Sequence, residues 1–471
     1  MASGIANATG VQFASGQAYF DNLITNFFLP IIADARNNSS VLWSLLSKKA
    51  PTQVSGDFIV WPLRVGRNRG RNAIRPGGQL PDPGNQGAKT CIAQVRTYMG
   101  RVKIDGETMR RGVTNGGAFI EPVMFELEGQ VDDIMVDHNR MAHNDGSGRL
   151  CEYVSGTTTV TARINQSIEG ASTCTTSPTL HLEVGDRIAF YAPGTDAMRT
   201  KSTGSQVGLY VIAVSGNTFQ VSLTPGGAAV DVTADSSGVT AGDWVVRYST
   251  EAATKNVTAS GAARGELTGI GGIISDAGVL NGLGASSARQ QGATDFTVTS
   301  NASANFQGNA ATSTNPWNQA VILDNGTSGA RPLTFRLLQQ ALSDFEEKNN
   351  GDTKFMLFPY GTYNSFVALA DADKRYVNTT EITTGHKVIT FNGVAAIKDR
   401  FCYGNRVIGL DTDQLAYMEV EALRPTDYQD VPRWTKAQDF DEYFTGYVTS
   451  GEIICEGPRQ RAGWALVDLS A

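Results

Sequence analysis

The sequence is short of charged residues and cysteine, and each shortage excludes a class of protein. Asp, Glu, Lys and Arg make up 18% of the 471 residues, against about 25% in a typical soluble domain. The formal net charge of −7 argues against a dedicated nucleic-acid-binding domain, which usually carries a strongly basic surface. Five cysteines without a CxxC spacing indicate free thiols in a reducing compartment and not a disulfide framework.

Long hydrophobic runs are also absent. The longest, such as residues 24–33, end well before the roughly 20 residues that span a bilayer. No basic segment with an apolar stretch and a small-residue cleavage site follows Met1, so no secretory signal is predicted. At about 150 residues per domain, the length indicates roughly three domains or a large one with insertions. Glycine is abundant at 51 residues, which is typical of a chain with many turns.

Residues that could carry catalysis do not form a known pattern. His138 and His143 are five positions apart, which does not place two metal ligands on one helix face; we interpret them as residues of a helix surface and its apolar stripe. Asp411-Thr412-Asp413 is interpreted as a solvated turn, and Cys402 as a small core residue. The sequence therefore predicts no enzyme activity, no metal site and no cofactor.

Changes in composition divide the chain into six segments. A stretch of 26 residues rich in Gly, Pro and Arg, 64–89, lies between two strand-like pieces, 57–63 and 95–105, which predicts an extended hairpin with a long tip. Apolar residues at helical spacing predict one long helix over 118–144. Short β-branched and aromatic runs separated by turn residues predict a small barrel or sandwich inserted into the main domain. The predicted segments are an N-terminal arm (1–50), the hairpin (51–111), the long helix (112–154), the inserted β domain (155–250), a connecting region (251–331) and an α/β region (332–471).

The distinctive cluster of the sequence is the set of arginines at the hairpin tip: Arg64, Arg67, Arg69, Arg71 and Arg75. Three interpretations remain open. The tip is a solvated loop, a nucleic-acid-binding loop, or a loop that docks on an acidic surface of another subunit. No aromatic residue for base stacking stands between the arginines, whereas arginine suits carboxylate pairing.

The order of the segments resembles the major capsid protein of tailed bacteriophages, the Hong Kong 97-type fold that encapsulins share. The closest local likeness is in FRLLQQALSDF, KFMLFPYGTYNSFVAL, KVITFNGVAAIKDRF and RVIGLDTDQLAYMEVEAL. The resemblance implies an α+β capsid fold in which 1–50 is the N-arm, 51–111 the E-loop, 112–154 the P-domain spine helix, and 332–471 the A-domain with returning P-domain strands. The β domain of 155–250 is an insertion into that fold.

The resemblance implies a structural protein that forms pentamers and hexamers of itself and closes into an icosahedral shell around double-stranded DNA. Expected partners are a scaffolding protein, a portal, a decoration protein, and DNA contacted without sequence specificity; no membrane is expected. Expected localisation is the virion, after assembly in the host cytoplasm. Two alternatives stay open, a tail or baseplate component and an encapsulin-type compartment shell.

Charge blocks suggest how copies would associate. Residues 48–111 hold thirteen bases and four acids, and residues 411–468 hold twelve acids and five bases. These blocks have net charges of +9 and −7. We therefore hypothesise that the five tip arginines dock on the acidic region of an adjacent subunit.

Overall fold

The computed structural model describes most of the chain from residue 41 onward. The described residues are 41–51, 53–56, 58–107, 120–144, 146, 148–163, 178–192, 199, 208–233, 238–248, 266–274, 305–306, 309–310, 317, 321–323, 331–372, 379–381, 387–402, 404–425, 435–436, 441–467 and 469–470. The predicted N-terminal arm and most of the connecting region lie outside them.

Helices account for a small part of the described chain. They are α1 (Val41–Leu45), α2 (Ile120–His143), α3 (Ile270–Ile273), α4 (Phe335–Asn349), α5 (Tyr360–Ala372) and a 3-10 turn, Arg459–Arg461. None of these described helices is both long and apolar enough to cross a bilayer.

Strands make up the rest of the regular structure. In the first half they are β1 (Ser47–Lys49), β2 (Val54–Ser55), β3 (Phe58–Gly66), β4 (Gly87–Gln94), β5 (Arg96–Asp105), β6 (Arg149–Ser155), β7 (Val160–Arg163), β8 (Arg187–Tyr191), β9 (Leu209–Ser215), β10 (Thr218–Ser222) and β11 (Trp244–Arg247). In the second half they are β12 (Asn305–Phe306), β13 (Asn309–Ala310), β14 (Val321–Leu323), β15 (Arg331–Pro332), β16 (Phe355–Phe358), β17 (Thr379–Glu381), β18 (Lys387–Phe391), β19 (Val394–Lys398), β20 (Val407–Leu410), β21 (Leu415–Pro425), β22 (Thr435–Lys436), β23 (Glu442–Cys455), β24 (Gly463–Leu466) and β25 (Leu469–Ser470).

The long helix α2 lies on a sheet of long antiparallel strands. That sheet has the order β1-β21-β23-β22, and β5 also pairs with β23 over the whole length of β5. Helix and sheet lie close together at Gly100 of β5, where a Cβ would lie 2.8 Å from the Cδ of Gln130. With 24 residues, the helix is about 36 Å long, which matches the predicted spine helix.

The second large sheet has seven strands, in the order β14-β24-β20-β16-β19-β18-β17. Its strands alternate between two cores, as expected for a sheet covered on both faces. Met356 packs with α4 and α5 through Leu338 and Phe366, whereas the next residue, Leu357, packs toward α1 and the end of α2. Thr334 is the N-cap of α4, its hydroxyl accepting from the Leu337 amide at 3.2 Å.

The inserted β domain is a closed six-stranded barrel. The strand order is β10-β7-β6-β11-β8-β9, and pairing of β9 with β10 closes the ring. The predicted tight turn joins these two strands, with Ser215 opposite Thr218 and a positive φ of 58° at Gly216. The barrel has its own interior, which contains Val160, Phe219 and Val245, each at most 1% exposed.

Two predicted boundaries differ from the structure. The barrel starts at β6, so its first strand precedes the expected start of the insertion at 155. The strand that pairs with β3 in the hairpin is β4. The sequence predicts 95–105 as that strand, but Arg96–Asp105 pairs with β23 instead. Strand β4 is not evident from the sequence, because it contains Gly87, Lys89 and Thr90 and its apolar and polar residues do not alternate strictly.

Candidate subunit interface

Among the described residues, the hairpin packs against the body at its root. Strands β3 and β4 pair from Phe58–Gln94 to Gly66–Gly87. Ile59 and Ala93 at the root pack against Ala416, Met418 and Ile454 of the long sheet. The root is therefore fixed by burial of apolar surface, and the tip continues beyond this contact.

Glycines let the two arms of the tip run close together without regular pairing. A Cβ at Gly70 would lie 2.6 Å from the carbonyl oxygen of Asp82, and one at Gly84 would lie 2.6 Å from the amide nitrogen of Gly70. Backbone atoms occupy both positions, so they cannot move aside as a side chain would. The tip consequently has a narrow, defined shape.

The five tip arginines Arg64, Arg67, Arg69, Arg71 and Arg75 are exposed. Within the described part of the chain, none of them forms an ion pair. Two large apolar side chains of the same tip are exposed as well, Ile74 at 50% and Leu80 at 75%. Guanidinium groups together with exposed apolar side chains are enriched in protein interfaces, so the tip has the composition of a docking surface.

The two oppositely charged blocks meet inside one chain, at the end of β1 and along β5. Three bases of the 48–111 block pair with three acids of the 411–468 block: Lys49 with Glu456 at 2.6 Å, Arg96 with Glu452 at 3.8 Å, and Lys103 with Glu442. The net charges counted from the sequence therefore overstate what each block offers to a neighbour. The five tip arginines form no such pair among the described residues.

A second polar cluster, which the sequence did not predict, fixes the barrel on the spine helix α2. Asp137 accepts a hydrogen bond from the guanidinium of Arg247 in the barrel strand β11 at 2.5 Å and another from the hydroxyl of Tyr98 in β5. Arg140, one helical turn along, binds Glu266 with two hydrogen bonds of 3.0 and 2.6 Å. Burial would raise the pKa of Asp137, but the charges of Arg247 and Arg140 outweigh it and lower that pKa below 3.8.

The end of α2 is also tied to the seven-stranded sheet. Asp399 lies directly after β19 and is 0% exposed. Its carboxylate lies 3.1 Å from Nε2 of His143, and it accepts hydrogen bonds from the amides of Leu42 and Phe401 at 3.2 and 2.9 Å. Asn139 joins the same group, with its Nδ2 3.3 Å from Asp399. Because these partners come from distant parts of the sequence, the cluster holds α1, α2 and the sheet together.

The histidines differ from the interpretation made from spacing. His138 and His143 are 2% and 0% exposed, so neither lies on the helix surface. His143 faces Asp399, while His138 packs between Trp43 and Tyr98 at ring-centroid distances of 4.8 and 5.5 Å. The described residues contain no group of three or more His, Cys, Asp or Glu placed to hold a metal ion.

The other two interpretations had mixed outcomes. Cys402 is 2% exposed and belongs to the core, as predicted. Asp411 was expected in a solvated turn but is 5% exposed, and its carboxylate accepts from the Asp413 amide at 3.1 Å. A fixed turn of this kind is an Asx turn, so Asp411 is a structural residue.

No family model matches the chain, and no curated protein is significantly similar to it. Solved structures are similar at low identity. The capsid protein of cyanophage A-1(L) is 10% identical to this chain. The alignment covers 94% of this chain and 96% of the cyanophage protein, with a TM-score of 0.48. The capsid protein of Myoviridae phage XM1 is 7% identical, with 93% and 95% covered and a TM-score of 0.39.

An encapsulin from Synechococcus elongatus is also similar, over a shorter stretch. It is 13% identical, covers 32% of this chain and 52% of its own, and has a TM-score of 0.25. Tailed-phage capsid proteins and encapsulins are the two groups that the resemblance in the sequence named.

Proposed function

We propose that this chain is the major capsid protein of a tailed phage, which assembles with copies of itself into capsomers and an icosahedral shell around double-stranded DNA. The observation that carries the proposal is the hairpin: its root is buried on the long sheet, and its tip extends away with exposed arginines and apolar residues. The tip of this long loop buries no side chain in its own chain, and contact with another molecule would explain its shape and composition.

The tip arginines dock on the acidic region of an adjacent copy. Exposed single pairs contribute only about 0–1 kcal/mol each, but several arginine–carboxylate contacts repeated around a shell fix register and orientation. Exposed carboxylates in that region include Asp413, whose side chain is 71% exposed and lies 3.7 Å from Lys354 of the same chain. The exposed Ile74 and Leu80 add apolar area to the same contact.

Further partners follow from the shell. A scaffolding protein and a portal act during assembly, a decoration protein binds the finished shell, and the packaged DNA touches the inner wall without sequence specificity. The net charge of −7 supports a wall that does not hold DNA tightly, because phosphate binding needs many basic contacts. The protein then acts in the virion after assembly in the host cytoplasm, and it has no enzymatic role.

Two other functions are distinguished by the shape of the assembly. A tail or baseplate component forms rings or tubes, and an encapsulin-type shell encloses protein cargo and no genome. An exposed hairpin tip would serve either of these assemblies. The barrel at the end of the spine helix is an insertion into the minimal fold of such a shell protein.

Electron microscopy of the purified protein, expressed with a scaffolding protein, tests the proposal. We expect closed shells or capsomer-sized rings. Tubes would favour the tail component, and closed shells that enclose protein in place of nucleic acid would favour the compartment. A strictly monomeric species by light scattering at micromolar concentrations, with scaffold supplied, contradicts every form of the proposal.

A further inference from the structure

A histidine at the base of the barrel contacts the seven-stranded sheet domain. His181 ends the turn that precedes β8, and only 6% of it is exposed. Its imidazole stacks on the ring of Phe401, with centroids 5.8 Å apart and planes inclined by 6°. Phe401 belongs to the loop after β19, so this stack joins two parts of the fold that are far apart in sequence.

The stacking partner is itself held in place. The Phe401 amide donates to Asp399 at 2.9 Å, and Asp399 faces His143 of α2. The guanidinium carbon of Arg400 lies 5.6 Å from the centre of the Phe401 ring. His181 therefore stacks on a ring that is held near the end of the spine helix, and a change at His181 acts on the barrel turn that carries it.

The charged groups around His181 are unfavourable to a further positive charge. Three elements contribute Arg140 and His143 (α2), Arg247 (β11) and Arg400 (the loop after β19). Among the described residues, Asp137 and Asp186 pair with Arg247, Glu266 pairs with Arg140, and the Asp399 carboxylate lies 3.1 Å from Nε2 of His143. A proton gained by His181 would add a positive charge beside these arginines in a buried place.

The direction of the effect follows from linkage. Burial, followed by the charges of the surrounding cations, lowers the pKa of His181 well below 6.5. In the detached state His181 regains an ordinary pKa, so that state binds more protons below pH 6.5. The stabilising effect of the joint is therefore present above that pH and is lost as the pH falls further.

We propose that His181 is an acid-sensitive joint: when it is protonated, its stack on Phe401 breaks and the barrel turn that carries it separates from the sheet domain, while the barrel stays anchored to α2 through Arg247 and Asp137 and the rest of the chain stays folded. The stack lies within one chain, so this proposal does not depend on shell formation.

Hydrogen exchange of the full-length chain at about pH 7.5 and about pH 5 tests the joint, with protection factors corrected for the intrinsic pH dependence of exchange. We expect at least a several-fold loss of protection at low pH in residues 178–192 and 399–402, with unchanged protection in α4. His181→Phe keeps an aromatic ring and cannot take a proton, so it should remove the response. His181→Gln, also unable to titrate, gives the same readout if the phenylalanine variant does not fold.

His138→Phe is the matched control, because His138 is another buried, ring-packed histidine on the spine helix but does not touch the barrel turn. This control should respond to acid as the wild type does. Two results would overturn the proposal: a full acid response in the non-titrating His181 variants, or loss of protection spread equally over barrel, spine helix and α4.

Discussion

At the scale of single residues, the fold depends on charges that are buried and paired. Asp137 is the centre of one such cluster, because it neutralises Arg247 of the barrel and lies 3.6 Å from Arg140 of its own helix. Removing one partner of a buried pair leaves the other charge without compensation, which is costlier than losing the attraction itself.

Replacing Asp137 with Asn should therefore lower the free energy of unfolding by about 2–3 kcal/mol, below the range for a fully buried pair because Arg247 is 35% exposed. Urea denaturation measures the loss. The control is Lys49→Ala at the exposed pair with Glu456, where 45% and 29% of the two side chains are exposed; it should cost no more than about 1 kcal/mol. Equal effects of the two substitutions would count against a special role of the cluster.

Asp399 provides a prediction about acid stability. Burial alone would raise its pKa, but His143 and the hydrogen bonds from Phe401 and Asn139 lower it below 3.8. A folded-state pKa below the unfolded one means that the stabilising effect exists above pH 3.8 and is lost as the pH falls through the folded value. Urea midpoints should fall below about pH 4 in the wild type and fall less in Asp399→Asn, which starts from a lower stability at pH 7. Parallel curves for the two proteins would show that Asp399 is not responsible.

At the scale of elements, strands and helices with a clear repeat were predictable, and their partners were not. The spine helix and α4 follow from apolar spacing and from the Thr334 cap, and the β9–β10 turn follows from Gly216. No local pattern of residues indicates that Arg96–Asp105 pairs with a strand more than 300 residues away. The register of a strand depends on which of its faces is buried in the folded protein. The Asp137 and Asp399 clusters were missed for the same reason: their residues are scattered along the chain.

The position of the first barrel strand, β6, determines which fragment of the chain should fold alone. Strand β6 lies between β7 and β11 in the ring, so a fragment of 155–250 lacks a strand from the middle of the barrel and should not fold. A fragment of 148–250 includes β6 and should give a dispersed β-type NMR spectrum. The contrary result, a folded 155–250 fragment, would mean that the ring closes without β6.

The hairpin tip gives the prediction on assembly. Changing Arg64, Arg67, Arg69, Arg71 and Arg75 to Ser should leave the circular dichroism of the monomer unchanged, because none of these side chains has an ion pair among the described residues. The same change should impair assembly or make particles sensitive to salt, which screens charge contacts. Light scattering at low and high salt measures both effects.

Two controls accompany the tip variant. Changing the five arginines to Lys keeps the charge but removes the two-pronged contact with carboxylates, so it separates charge from geometry. Arg336→Ser removes an exposed arginine from α4 and should assemble normally. If the five-serine variant forms particles as stable as wild type at every salt concentration, the tip is a solvated loop and the docking hypothesis is wrong.

At the scale of the whole molecule, the barrel is an insertion whose two ends meet. The chain leaves the spine helix at Gly148 and returns at Glu266, and a Cβ at Gly148 would lie 3.7 Å from the Cδ of Glu266. The returning segment packs closely on the helix end, since a Cβ at Gly271 would lie 2.8 Å from the carbonyl oxygen of His143. Glu266 also binds Arg140, so the junction is fixed independently of the barrel.

Excising residues 149–265 and joining 148 to 266 through a short Gly-Ser linker should therefore leave a folded body. Asp137 loses Arg247 but keeps Arg140 nearby, so we expect a modest loss of stability and retained α-helical circular dichroism. Assembly of the shortened chain, followed by electron microscopy, shows whether the barrel is needed for the shell. An unfolded or aggregated product would mean that the barrel is part of the folding unit.

The meeting of these two ends also makes the position a natural site for grafting. A foreign domain whose own termini are close together could replace the barrel without stretching the chain, and every copy in an assembly would then display it once. Exchange of this kind requires only that the incoming domain bring its own core, as the barrel does, so a chain with this junction can gain or lose a whole domain while its helix and sheets stay the same.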